Sequence, residues 1–220
     1  MIRINEIEVF DTAKELVNPR HTAVLVIDMQ NETASDEGGY AKHGYDISRI
    51  RSTVPIIRRV LEAGRRLNLL VAYTEFIHRD RRGVTLMDGP NVFLHCKEEW
   101  VSDVVDGTWE AKTLDELVPQ PGDLVIQKSR ASAIYHTHLE DVLRKNGIRS
   151  IVLMGCLTDG CILKTAVAMT DHGYYPVVVE DAVESLSAKK HEIGLAYIKM
   201  KCPTVRSADL ATIWSAFEGA

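Results

Sequence analysis

Three residues stand where a parallel sheet would expose them. Asp28 follows the apolar run Thr22 to Ile27, Lys128 follows Asp123-Leu124-Val125-Ile126-Gln127, and Cys161 falls at the start of a helical stretch after Ile151 to Met154. In an open parallel sheet, ligands bind beyond the carboxyl ends of the strands, so these positions converge on one edge. A thiol attacks as its thiolate, and a helix N-terminus with a nearby cation lowers the thiol pKa. Lys128 supplies that cation. A carboxylate beside the thiol works against this unless it acts as the base, which a cysteine with no histidine partner needs; Asp28 is the candidate. Singly, each residue has an ordinary explanation, as a cap or turn, a solvated lysine, or a small buried apolar filler. The combination is what points to nucleophilic catalysis.

The elements that would carry them are legible from periodicity. Thr22 to Ile27 is short, β-branched and almost wholly apolar, the pattern of a strand buried on both faces. Ile50, Val54, Ile57, Val60 and Leu61 recur at helical spacing between Ser48 and Arg66, ahead of a second strand at Leu69 to Tyr73. Further strands are predicted at Asp123–Gln127, Ser150–Met154, Tyr175–Val179 and Thr204-Val205. The helices between and around them are predicted at His138–Lys145, closed by Asn146-Gly147, at Thr158–His172, ended by Gly173, and at Ala188–Met200. Strands alternating with helices predict an α/β fold: one domain over residues 1–220, a doubly wound parallel sheet with helices on both faces. The stretch from Phe76 to Pro121, with two tryptophans, Gly89-Pro90 and little periodicity, reads as a long excursion of the kind that covers sites. The apolar run Leu210 to Phe217 packs either on another subunit or on its own sheet.

Composition excludes several classes. In 220 residues, 45% are hydrophobic and 26% charged, so neither disorder nor a fibrous repeat is indicated. The net charge of −5, with only Arg79, Arg81 and Arg82 as a basic cluster, argues against nucleic acid as a partner. No apolar run approaches the roughly 18 residues of a membrane span, and Met1 to Glu6 lacks a signal-peptide core. A cytoplasmic protein without membrane contact is expected. Cys96, Cys156, Cys161 and Cys202 are then expected to remain thiols.

Val26-Ile27-Asp28-Met29-Gln30-Asn31, Lys128, and Gly155-Cys156-Leu157-Thr158-Asp159-Gly160-Cys161 resemble, in order and spacing, the three signatures of the isochorismatase-like cysteine hydrolases. The similarity runs from about His21 to Val205 and takes in Gly38-Gly39-Tyr40, Pro119 to Gly122 and Glu180-Asp181-Ala182. The resemblance implies a Cys-Asp-Lys triad. Asp28 takes the thiol proton, Cys161 attacks a carbonyl carbon to form a thioester that water releases, and Lys128 orients and polarises the pair. It also implies an oxyanion hole from the backbone N–H groups of Leu157 and Cys161, with a cis peptide joining Cys156 to Leu157. Gln30, Tyr40, Ser132, Tyr135 and Thr158 are the candidate substrate contacts. The implied substrate is a small linear amide or a ureido or carbamoyl compound of the biuret or triuret kind. No cofactor is implied, and the family's habit is a dimer or tetramer. Two alternatives stand beside this: vinyl ether hydrolysis of the isochorismatase type, and a non-catalytic binding member.

The chain departs from the pattern in places. Glu32-Thr33 follows Asn31 where an aromatic often stands, and after Lys128 the chain reads Ser129 to Tyr135, so Ile134 or Tyr135 takes an aromatic's place. Gly160 precedes the cysteine where a bulky residue is common, which either widens the site or eases the turn. No Asp-x-His follows the first strand, which weakens a metal-bearing nicotinamidase reading. His136 and His138 alone lack a third ligand, so no metal is expected. Arg79, Arg81 and Arg82 either clamp a substrate carboxylate or form a solvated charged loop.

Overall fold

Six strands form one parallel sheet in a computed structural model that describes residues 1–86 and 102–218. Cys96, Trp100 and Gly89-Pro90 lie outside the described residues. The strands are β3 (Thr22–Ile27), β4 (Leu70–Phe76), β5 (Leu124–Lys128), β6 (Ser150–Cys156), β7 (Tyr175–Glu184) and β8 (Thr204–Val205), in spatial order β5-β4-β3-β6-β7-β8. All pair in parallel. Every residue of β3 and β6 is buried, as their unbroken apolar sequences require of the two central strands.

Alternate side chains of each strand divide between two cores. Val24, Val26, Val71, Tyr73 and Val152 pack with Ile50, Ile57 and Leu61 of α4 (Ser48–Arg66), which follows the short helices α1 (Ala13–Leu16), α2 (Asn31–Ala34) and α3 (Gly39–Lys42), and with Leu210 and Trp214 of α8 (Ser207–Ser215). Ala23, Leu25, Ile27, Ile151 and Leu153 pack on the other face, against α5 (Leu139–Lys145), α6 (Leu163–Asp171) and α7 (Ala188–Lys201). The doubly wound α/β arrangement is the expected one. The apolar run Leu210 to Phe217 belongs largely to α8 and covers its own sheet, where the Trp214 indole N–H donates to Val17 O at 2.8 Å.

Several strands outrun their apolar sequences. β4 continues through Thr74, Glu75 and Phe76, which pair with Ile126, Gln127 and Lys128 of β5, and β7 runs five residues past Val179. Hydrogen-bonded pairing extends a strand wherever a neighbour is present, whether or not the side chains are apolar. An antiparallel hairpin, β1 (Ile2–Ile4) with β2 (Ile7–Val9), precedes the domain and turns at Asn5 and Glu6 with φ of 48° and 67°. Among the described residues no helix is long and apolar enough to cross a membrane.

Candidate active site

The end of β3 sets the first group. Asp28 leaves the strand with φ of 53°, a left-handed conformation that costs a non-glycine residue free energy and is found where a site over-determines it. Two contacts to the neighbouring strand hold it: its N–H donates to Thr74 O at 3.2 Å, and its Oδ1 accepts from the Thr74 hydroxyl at 2.7 Å. Its other oxygen, Oδ2, lies 2.8 Å from Lys128 Nζ as an ion pair and has no partner in good hydrogen-bond geometry.

Lys128 ends β5 opposite Phe76, and its ammonium sits 4.3 Å above that ring. Nζ donates to Arg130 O at 3.0 Å, to Ala131 O at 3.3 Å and to Cys161 Sγ at 3.4 Å. Burial works to strip its charge, but Asp28 and Cys161 outweigh it and hold the lysine pKa above its ordinary value.

The segment carrying Cys161 is shaped by close backbone approach. β6 shifts register between Leu153 and Gly155, and Gly155 has φ of 115°. A Cβ there would stand 2.2 Å from Ile27 O, so only glycine lets β6 lie this close to β3. The Cys156–Leu157 peptide is cis. An irregular turn, Thr158–Ile162, broken at Gly160 by a φ of −116° and a ψ of −106°, then leads into α6 and presents Cys161. Behind this turn the Thr158 hydroxyl meets His191 Nδ1 at 3.0 Å, and Asp159 Oδ1 accepts from the Ser185 hydroxyl at 2.6 Å. Gly194 of α7 packs so tightly that an added Cβ would lie 2.8 Å from Asp159 Cα.

Cys161 keeps some exposed surface, yet enough protein surrounds it that burial pushes its thiol up to about 12; Lys128 pulls it down and Asp28 pushes it further up. The resting side chain is therefore a protonated thiol at neutral pH, against the expectation of a lowered pKa. The helix end and one lysine do not offset desolvation together with a carboxylate.

Asp28 and Cys161 line a cavity of about 140 Å3, with Lys128 beneath them out of its reach. An apolar cavity of about 150 Å3 accepts benzene, so the space suits a ligand of roughly six heavy atoms or a few more. Gln30 and Tyr40, candidate substrate contacts from the sequence, line it. The Gln30 amide is committed to backbone, donating to Phe76 O and Ala111 O and accepting from Phe76 N–H, so it builds the wall. Ser132, Tyr135 and Thr158 lie outside the lining. The Ser132 hydroxyl is buried without a partner among the described residues, Tyr135 is half exposed and stacked on His136, and Thr158 is wholly buried on His191. Phe76 and Tyr40, and neither Ile134 nor Tyr135, give the cavity its aromatic side. Glu32, His78 and Ser102 also line it; of these only Glu32 was marked in the sequence, as a departure from the motif. Arg79, Arg81 and Arg82 pair with Asp103, Asp106 and Asp80 and do not reach the cavity. Among the described residues no three His, Cys, Asp or Glu side chains gather as a metal would need.

A doubly wound α/β protein with a thiol, a carboxylate and an ammonium meeting at the carboxyl edge of its sheet is the class that fold and site define. The model of the isochorismatase domain matches residues 22–209, and the chain belongs to the isochorismatase family. It is 33% identical over 180 residues to ureidoacrylate amidohydrolase RutB of Agrobacterium fabrum, covering 77% of this chain and 78% of that one. Among solved structures it resembles N-carbamoylsarcosine amidase of Thermoplasma acidophilum, with 28% identity, a TM-score of 0.67, and 85% and 96% of the two chains covered. A cysteine hydrolase of Pseudomonas syringae superposes with a TM-score of 0.79 over 91% and 95% of the chains at 22% identity, which speaks to the fold alone.

Proposed function

We propose that the chain is an amidohydrolase that breaks a C–N bond of a small linear amide or of a ureido or carbamoyl compound through a Cys161 thioester. The observation that carries this is the contact of one thiol with an ammonium that is itself ion-paired to a carboxylate. The names of the relatives, an amidohydrolase and an amidase of ureido and carbamoyl compounds, support the same bond type.

Asp28 Oδ2 takes the thiol proton as Sγ bonds to the substrate carbonyl carbon, so no free thiolate has to exist beforehand and the high resting pKa is no obstacle. Lys128 balances the charge throughout without touching substrate. The backbone N–H groups of Leu157 and Cys161 are the candidate donors to the oxyanion. The tetrahedral intermediate collapses by C–N cleavage, and Asp28 returns the proton to the leaving nitrogen. Water then gives a proton to Asp28 and adds to the thioester carbon. The C–S bond breaks, Sγ is reprotonated, and an acid and ammonia or an amine have been released.

The test is ammonia release by wild type and Cys161→Ala from biuret, triuret, ureidoacrylate, N-carbamoyl amino acids and nicotinamide, with mass spectrometry for an acyl adduct. Cysteine-dependent release from a linear amide or ureido compound is expected. Silence across the panel, or activity surviving in Cys161→Ala, overturns the reading.

A further inference from the structure

One wall of the cavity is acidic and is not needed for the bond-breaking steps. Glu32 is 6% exposed and lines the cavity. Its Oε2 accepts from Gly39 N–H at 2.9 Å and its Oε1 from the Ser102 hydroxyl at 2.7 Å. Each carboxylate oxygen accepts about two hydrogen bonds, so acceptor capacity remains on both. Among the described residues no Lys, Arg or His forms an ion pair with Glu32, and no lysine or arginine lines the cavity.

His78 lines the same cavity and supplies the complementary group. Its Nδ1 accepts from Val104 N–H at 3.0 Å, which leaves the imidazole proton on Nε2. Burial, reinforced by Lys128 and Arg79, holds its pKa below the ordinary value, so the ring is neutral and offers one N–H. A primary amide end needs one donor for its carbonyl and one acceptor for its NH2.

We propose that Glu32 and His78 read the far end of the substrate, and that this end is an uncharged carboxamide or ureido group and not a carboxylate. The ligand class is taken from the amidohydrolase reading; what is added is the selection. Replacing NH2 by O− puts a charge and lone pairs against a buried carboxylate that no cation among the described residues accompanies, and sites that hydrogen-bond an N–H reject analogues lacking it by large factors. On this basis a carboxylate-bearing compound such as ureidoacrylate is a poor ligand here, even though the RutB relative carries that compound in its name.

The matched probes are malonamide and malonamate, which differ only in that group. Their binding is measured calorimetrically to the Cys161→Ala protein, so no turnover is required. Malonamide is expected to bind tighter by roughly 100-fold. Adding Glu32→Gln, which keeps an acceptor for Gly39 while removing the charge, is expected to shrink that ratio at least about tenfold, mainly by admitting malonamate. Equal or tighter binding of malonamate, a ratio unchanged by Glu32→Gln, or no binding of either compound overturns the proposal. Intact selectivity in a protein that hydrolyses nothing overturns the amidohydrolase reading instead.

Discussion

Lys128 and Asp28 face each other at 2.8 Å with their side chains 0% and 7% exposed, so neither charge can turn to water for compensation. Removing one partner of such a buried pair leaves an uncompensated charge and typically costs about 3–5 kcal/mol, whereas removing both is often nearly neutral. Lys128→Met is expected to lower the unfolding free energy by about that amount, and Asp28→Asn added to it to restore most of the loss. Urea unfolding of the two single variants and the double variant measures the coupling; single losses that merely add would show that the charges do not depend on each other.

The raised thiol pKa of Cys161 gives two pH signatures. Iodoacetamide alkylation at this residue is expected to be slow at pH 8 relative to a free thiol and to rise about tenfold per unit to pH 10 without levelling. An unfolded cysteine titrates near 8.5 and the folded one at about 12, so above roughly pH 9 the unfolded chain sheds a proton that the native state keeps. The stability contribution is therefore whole below about pH 8.5 and drains away as pH climbs toward 12. Cys161→Ala is expected to flatten this alkaline slope by up to one proton. A plateau of alkylation near pH 7 in the ligand-free protein would show instead that Lys128 prevails over burial.

At Gly155 both φ and space forbid a side chain. Gly155→Ala is expected to cost about 3 kcal/mol or more, from a positive φ together with backbone overpacking against Ile27. A thermal midpoint within about two degrees of wild type would mean that the two strands separate here more easily than their contact implies.

Gly160 is the opposite case. It lines the cavity, and a Cβ there would meet Leu157 Cβ at 3.6 Å, an ordinary contact. Gly160→Ala should fold, raise KM severalfold for the longest substrates, and leave kcat unchanged. Loss of stability in that variant would reassign the glycine to the turn and away from the pocket.

The sheet was readable because β3 and β6 are buried on both faces, which leaves unbroken apolar runs, and because Ile50 to Leu61 face one core at helical spacing. Asp28 and Lys128 were findable from strand ends and Cys161 from the helix start that follows β6, since an open parallel sheet brings those places together. Glu32 and His78 were not, because the first sits past the motif and the second in an excursion whose path depends on long-range contacts such as His78 N–H to Val104 O at 2.8 Å. Tyr135 misled for the same reason: nearness to Lys128 in sequence says nothing about which side of β5 the chain takes on leaving it. The hairpin of β1 and β2 left no alternation of buried and exposed residues to read, since nearly all its side chains are exposed.

The spatial order β5-β4-β3-β6-β7-β8 also governs the order in which the site can come into being. β3 can pair with β4 once about the first third of the chain has emerged, but its other edge must wait for β6 (Ser150–Cys156), which begins well over a third of the chain beyond β3. During synthesis the Asp28 end of β3 is thus bordered by an open strand edge, and neither the cavity floor nor the cysteine exists until residue 161 has been made. Closing so long a loop is entropically slow, and an unpaired apolar edge is prone to wrong partners. Growth temperature and chaperone supply should therefore affect the yield of soluble protein more than its specific activity, because a molecule that has closed β6 onto β3 has by that step acquired both its core and its site.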